Sequence, residues 1–573
     1  MATSNAGGNA LPVTGYIGEE APPPTTAAKP SRGGWTTAPF ILATVAGLTL
    51  AAGGWLNNLI VFLIQQFNIK SIDAAQVSNV VSGATNFFPI IAAVLADSFL
   101  GCFTIIWISS LISLLGLILL VLTVTIHGLK PTNCTGATTT CDTPSATQYA
   151  VLFTALSLVS IGLGGSRFTL ATMGANQFTK LGHQSTYFNW YFFALYFSSF
   201  ISATGIVYVQ DNVSWAWGFG ICIAGNVAGL ALFLAGKRYY YCQDKIQGSP
   251  FTSLLRVVVA SFRKRKLNIS SDQGAECYYN GDDGVKGGIT AAAPPTNSFR
   301  VLNRAALKTE EDIEPARSSP WKLCTVQQVE DLKTLIKILP LWSTSIILAT
   351  PIGIQISLTV LQALATDRHV AGSGFQIPAG SIFVFSLIST ALCTSLANHT
   401  LWPLWRKLTA GRRRRDNIPL PTPLQQIGIG HVFNIASMAV SALVESKRRG
   451  GGPRHVMSVL WLIPQMVIVG IGEGFHFPGQ VALYYQEFPE SLKSFSTAMV
   501  ALLIAVAFYL STAVIDFVRR VTVWLPDDIN QGRLDYVYWV MVVLGVFNFG
   551  YYLVCSCLYK YKNVGVVEED ESS

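Results

Sequence analysis

Apolar residues fall in long blocks separated by polar stretches. A block of roughly 20 apolar residues is long enough to cross the hydrocarbon core of a bilayer as a helix. About twelve such blocks can be counted by that length rule: 38–65, 74–98, 103–127, 147–172, 188–209, 215–236, 333–363, 379–404, 424–445, 456–484, 493–518 and 536–559. They divide six and six about a polar segment, 237–332. That segment carries Arg263, Lys264, Arg265 and Lys266, a Gly/Ala/Pro-rich passage ending near Pro295, and a candidate helix around Thr325–Lys333. Two six-span halves joined by a hydrophilic linker predict an all-α membrane protein of two bundles with a cleft at the midplane. The expected organisation is a disordered tail at 1–34, a first bundle at 35–236, a linker with amphipathic helices at 237–332, a second bundle at 333–562 and a short tail at 563–573.

Composition agrees. Of 573 residues 51% are hydrophobic and only 12% charged, against about a quarter charged in a soluble protein. A disordered chain, a disulfide-stapled secreted module and a typical cytosolic enzyme are excluded. The net charge of +8 raises the question of nucleic acid, but basic clusters confined to loops follow the positive-inside rule, so no nucleic-acid partner is expected. The polar start lacks the basic-then-apolar form of a cleavable signal. An even number of spans puts both termini on one side, with the linker, the run Arg406, Lys407, Arg412, Arg413, Arg414 and Arg415, and Lys560 and Lys562. One cluster, Lys447, Arg448, Arg449 and Arg454, falls opposite. The balance predicts cytosolic termini. Asn133 and Asn212, each in an Asn-x-Ser/Thr sequon, then face outward as glycosylation acceptors. Cys134 and Cys141 share one polar loop and predict a small disulfide if that loop is external. The ten cysteines show no zinc spacing, and neither a nucleophile–base pair nor a phosphate loop occurs, so no metal, cofactor or enzymatic activity is expected.

Ionisable side chains within a span are costly and mark function by default. Arg167 follows Gly164-Gly165-Ser166 in the fourth span, and Glu473 and His476 sit in the tenth, with Gln480 beyond. Positions 473, 476 and 480 share a helical face. That face predicts a wet cavity with Arg167 as the partner charge; the alternative is a structural Arg167–Glu473 ion pair locking the halves. Gln355 in the seventh span is a weaker lining candidate. Asn57 and Asn58 either tie helices together or touch a solute.

Several phrases carry a family resemblance. They are Gly164-Gly165-Ser166-Arg167 with Gly174-Ala175-Asn176-Gln177-Phe178, Phe188-Asn189-Trp190-Tyr191, Trp321-Lys322-Leu323-Cys324-Thr325-Val326, Ile338-Leu339-Pro340-Leu341-Trp342, and Ile463-Pro464-Gln465 leading to Gly470-Ile471-Gly472-Glu473. On these the chain resembles the plant nitrate and peptide transporter family, the plant branch of the proton-dependent oligopeptide transporters in the major facilitator superfamily. Ala96-Asp97-Ser98-Phe99-Leu100-Gly101 is similar to that superfamily's loop signature, with Cys102 where a basic residue is common; the resemblance implies that Asp97 and Gly101 belong to a conformational latch. Phe475-His476-Phe477-Pro478-Gly479-Gln480 and Gly53-Gly54-Trp55 look like the nitrate excretion branch, whose members move nitrate or chloride.

The resemblance implies a twelve-helix major facilitator fold, alternating access, a plasma-membrane location, and low-affinity, pH-dependent movement of nitrate, with chloride and efflux also open. The departures sharpen it. The family's first-span Glu-x-x-Glu-Arg positions, tied to proton coupling, are Val45, Leu48 and Thr49; its fourth-span lysine is Arg167, the acidic position of its Gly-Ala-Asp-Gln-Phe phrase is Asn176, and a seventh-span histidine falls at Ile352. Without those acids Arg167 loses a neutraliser, and an always-protonated planar guanidinium suits a flat oxyanion. Val45, Leu48, Ala52 and Trp55 are expected to wall that site with apolar surface. Protons, if still used, would act through Glu473 and His476, so acid pH should raise transport. A proton-coupled carrier of peptides, hormones or glycosides, and a nitrate-sensing membrane receptor, are the alternative readings.

Overall fold

The structure is a computed structural model describing residues 33–132, 142–178, 180–241, 250–266, 277–280, 294–309, 321–370, 374–401, 403–404, 407, 421–450, 456–488, 493–559 and 561. Asn133, Cys134 and Cys141 lie outside the described residues.

Among the described residues, 11 helical stretches are long and apolar enough to span a membrane. One of them, Ser71–Thr125, has 55 residues. A straight helix of that length would reach about 80 Å, against roughly 30 Å of hydrocarbon. It is broken at Gly101, where φ is 73° and ψ 155°, a region open to glycine and costly for other residues. The stretch is therefore two spans, and the total matches the twelve apolar blocks. The spans are α1 (Ala38–Leu56, resuming as Leu59–Phe67), α2 (Ser71–Leu95), α3 (Gly101–Thr125), α4 (Ala146–Ala175), α5 (Leu181–Ile201, continuing to Asn212) and α6 (Trp215–Ala235). A linker helix α7 (Pro250–Arg263) precedes α8 (Val326–Leu364), α9 (Val384–Leu396), α10 (Pro423–Gly450), α11 (Ile463–Glu487), α12 (Lys493–Val521) and α13 (Leu534–Leu558).

Helices α1 to α6 pack chiefly on one another, and so do α8 to α13; the two sets meet mainly where α2 lies along α12. Small residues set the crossings, as expected where lipid removes the hydrophobic drive between helices. A Cβ at Gly47 of α1 would stand 2.5 Å from the Gly225 carbonyl of α6. The candidate helix at 325–333 is the opening of α8: a capping box between Thr325 and Gln328 starts it, and its 39 residues reach about 58 Å, well beyond a bilayer. Leu254, Val257 and Ala260 of α7 pack with Val326, Val329 and Leu332 of that projecting end. We call this the linker end.

The described bonds between the two sets lie toward the opposite, far end, the deepest being Asn79 donating to Ser357 at 3.4 Å. Asp211 meets Arg368 at 3.6 Å, Ser381 donates to the Ala203 carbonyl at 2.7 Å, Lys70 meets Asp527 at 2.7 Å, and Arg519 bridges Asp73 at 2.5 Å and Asp527. Asn58 donates to Gln210 and Asp211, so it ties helices together. The basic cluster on this side is neutralised locally: Arg448 pairs with Glu445 at 2.7 Å, Arg449 with Asp535 at 3.2 Å, and Lys447 lies 3.3 Å from the centre of the Trp461 ring.

Candidate functional site

Helix α4 brings Arg167 to its place through the two glycines before it. A Cβ at Gly164 would lie 2.6 Å from Phe88 of α2, and one at Gly165 would lie 2.0 Å from the Ser109 hydroxyl of α3. These close approaches seat one face of α4 against its neighbours and leave Arg167 exposed. Tyr191 of α5 donates to the Arg167 carbonyl at 3.0 Å, which fixes the backbone at that turn. The guanidinium itself makes no hydrogen bond or ion pair among the described residues. A charge on lipid is expensive; Tyr196 of α5 lies within electrostatic range of both Arg167 and Glu473, which places the cation on the gap between the two sets of helices.

Glu473 projects from α11 on the other side of that gap. Gly470 and Gly474 press α11 against α9, with a Cβ at Gly470 falling 2.5 Å from the Ser386 carbonyl and one at Gly474 falling 3.1 Å from Cys393. The Ser386 hydroxyl donates to the Glu473 carboxylate at 3.3 Å, and the Thr390 hydroxyl is a second neighbour. No direct Arg167–Glu473 ion pair forms, so the structural lock is not realised. Among the described residues the site thus holds a cation without an ion-pair partner and, across the gap, a carboxylate served by hydroxyls. Sequence reasoning missed Tyr196, Ser386 and Thr390; two hydroxyls four residues apart in the apolar run of α9 were the available signal.

Other candidates go elsewhere. His476 is 0% exposed and turns into the second bundle, with its ring 5.8 Å from that of His431 on α10. Gln480 is buried and donates to the Tyr484 hydroxyl at 3.0 Å. Gln355 is buried and donates to Ser437 and Ser441 of α10 at 2.7 and 2.8 Å. None of the three makes a described contact with Arg167. The apolar wall is also corrected: Val45 and Leu48 are packed into the core of the first bundle with Leu170, Tyr187 and Phe233, and Trp55 is 2% exposed. Gln177 ties together the segments flanking the first bundle: it exchanges hydrogen bonds with Tyr241, and its carbonyl receives the Gly34 amide. The side chain of Asp97 lies outside the described residues, whereas Gly101 makes the turn just described. Asn212 is exposed at the far end, where its amide donates to the Tyr208 carbonyl.

The comparisons with known proteins bear on the family and the fold. The model of the POT family, PTR2, matches residues 103–531. Protein NRT1/ PTR FAMILY 2.7 of Arabidopsis thaliana is 51% identical over 543 residues, covering 93% of this chain and 94% of its own. Protein NRT1/ PTR FAMILY 2.3 of the same plant is 50% identical over 537 residues, with coverage of 93% and 94%. Among solved structures, an auto-inhibited POT family peptide transporter superposes with a TM-score of 0.66 at 18% identity, over 92% of this chain and 97% of its own. The POT family transporter PepTSo gives 0.65 at 17% identity, over 92% and 99%. These two likenesses concern the fold.

Proposed function

The chain belongs to the POT family, and from that premise we propose that it moves a small inorganic anion, nitrate first and chloride second, by alternating access. It is a multi-pass membrane transporter of the NRT1/PTR type with the major facilitator fold. The observation that carries the anion reading is the Arg167 guanidinium, exposed on the gap and without a carboxylate as ion-pair partner among the described residues. Arginine stays charged at any working pH, and its planar fork offers two parallel hydrogen bonds to a flat oxyanion. A zwitterionic peptide needs a charge for each end; Val45 and Leu48 supply none where the family has acids.

Glu473 sets the pH response. An ionised carboxylate across the gap repels an entering anion, and a protonated one does not. Acid therefore favours binding through Glu473, with no part for the buried His476. The far-end bonds hold the halves together there, and rocking them apart exposes Arg167 to the other side. Both termini and the linker are cytosolic by their basic residues, and the plasma membrane is the location that family resemblance suggests.

The test is competition in proteoliposomes: uptake of labelled nitrate challenged with chloride, nitrite, dipeptides and organic anions at two pH values. Inhibition by the small anions, stronger at the lower pH, is expected. Inhibition by dipeptides or larger organic solutes alone would move the reading to the organic carrier.

A further inference from the structure

Helices α9, α10 and α11 leave a groove of ≈ 470 Å³ on the surface of the second bundle, a size within the range of small-molecule sites, about 300–1,000 Å³. It faces away from the gap. On α9 it takes Ile388, Leu392 and Leu396, whereas Ser386 and Thr390, two positions before the first two of these, turn toward Glu473. On α11 it takes Ile471 and Phe475, each two positions from Glu473. Two positions turn a helix by about 200°, so groove and gap lie on opposite sides of both helices. The outer surface of a membrane-spanning bundle meets lipid.

The floor of the groove is closed and apolar. Gly470 and Gly474 bring α11 against α9, and the polar groups along the floor are satisfied inside that seam. Ser389 donates to the Val467 carbonyl at 2.7 Å, and Cys393 to that of Ile471 at 3.8 Å. Phe433 of α10 stacks on Phe475 at 6.2 Å with 14° between the rings, which makes one side flat. The groove is open along its length, since Leu392 and Leu396 are more than half exposed. From Phe385 to Leu396 it runs about 16 Å along α9, close to half of the hydrocarbon core and so the depth of one leaflet. Leu401 lines it toward the linker end. The sequence continues Trp402-Pro403-Leu404-Trp405-Arg406-Lys407, aromatic and then basic, the order that marks a membrane–water boundary. Lys407 is exposed, and Arg412, Arg413, Arg414 and Arg415 follow before α10 begins. Glu487, at the same end of α11, accepts from Tyr559 on the side of α13.

We propose that this groove is a binding site for an anionic phospholipid of the leaflet at the linker end. One acyl chain lies along α9 between Leu401 and Phe385, held by apolar contact. The head group stays at the boundary, drawn there by the positive charge of Lys407 and its basic neighbours in sequence, since a cluster of Lys and Arg beside a membrane helix attracts anionic lipid. A chain so placed supports the back of the wall whose front, Ser386 and Thr390, serves Glu473. A zwitterionic lipid can fill the same groove but gains nothing from the basic run, and that difference defines the site.

Lipid binding is read without reference to the solute, so it stands or falls apart from anion transport. Full-length protein is placed in phosphatidylcholine nanodiscs with a trace of phospholipid carrying a photoreactive diazirine in one acyl chain and either a serine or a choline head group. Adducts are mapped by peptide mass spectrometry. The serine probe should label the groove faces of α9 and α11 about fivefold or more above the choline probe, the factor that one basic residue supplies at a membrane surface. Phosphatidylserine added to the disc should displace it. Leu392→Trp, which fills the groove from an exposed position, should lower that labelling about fivefold and leave adducts on other helices unchanged. Arg406→Gln, Lys407→Gln, Arg412→Gln, Arg413→Gln, Arg414→Gln and Arg415→Gln together should bring the serine probe down to the choline level. Equal labelling by the two head groups overturns the inference, and so does labelling spread evenly over the lipid-facing helices, the pattern of bulk lipid. Labelling that phosphatidylserine fails to displace overturns it as well; a sterol that displaces it instead marks the groove as a sterol site. Should a variant fail to fold, the wild-type comparison of head groups and competitors decides alone.

Discussion

A guanidinium in a membrane gap needs a neutraliser, and at Arg167 none comes from the described protein. Replacement by lysine keeps the charge and loses the planar fork. A charge-assisted hydrogen bond is worth about 1.5–3 kcal/mol, so Arg167→Lys should raise the nitrate concentration for half-maximal uptake roughly tenfold or more while flux at saturation persists, as initial rates over a concentration series would show. Glu473→Gln fixes the neutral form of the carboxyl. Uptake by this variant should stay at its acid level between about pH 5 and 7.5, a range that brackets mild acid to neutral; a pH profile as steep as that of wild type would remove Glu473 from the account. Arg167 and Glu473 were legible as ionisable groups in apolar runs. The destinations of His476, Gln480 and Gln355 were not. Three residues turn a helix by about 300°, so Glu473 and His476 look about 60° apart, enough for one to face α9 and the other α10. In a bundle, a polar face meets protein as readily as cavity, and spacing alone does not choose.

At the scale of elements, close packing and one turn do most of the positioning. Gly101 holds φ at 73° and ψ at 155°, an essentially glycine-only region where an L-residue costs about 1–3 kcal/mol. Nothing lies within 4 Å of its absent side chain, so Gly101→Ala tests conformation without a clash. It should lower the melting temperature of detergent-purified protein by a few degrees, and an unshifted melting curve would contradict the strain. Gly165→Leu drives atoms into the Ser109 hydroxyl and should destabilise by about 1–3 kcal/mol through overpacking. The spans themselves were readable because length and hydropathy decide them. The merger of the linker's last helix with α8 was not, because a capping box opens a separate helix and a long one alike.

For the whole molecule, the distribution of inter-half bonds defines the state seen here as the one sealed at the far end. Arg519 joins Asp73 of the first bundle to the second, and Asp211 with Arg368 makes the corresponding tie on the other flank. Arg519→Ala combined with Asp211→Asn should shift distances between spin labels placed on α2 and α12 at that end toward a longer population. A distribution identical to wild type would show that packing alone seals it. The six-and-six division was visible from the polar linker, but the side on which the halves close was not, because pairs such as Lys70–Asp527 join residues far apart in sequence. Anion transport by this chain turns on whether the Arg167 cation meets the solute. The most direct measurement is nitrate flux into proteoliposomes by Arg167→Gln, reconstituted at wild-type density with an unchanged melting curve. Flux reduced at least tenfold, the equivalent of about 1.4 kcal/mol, is the predicted result; flux equal to wild type would contradict it.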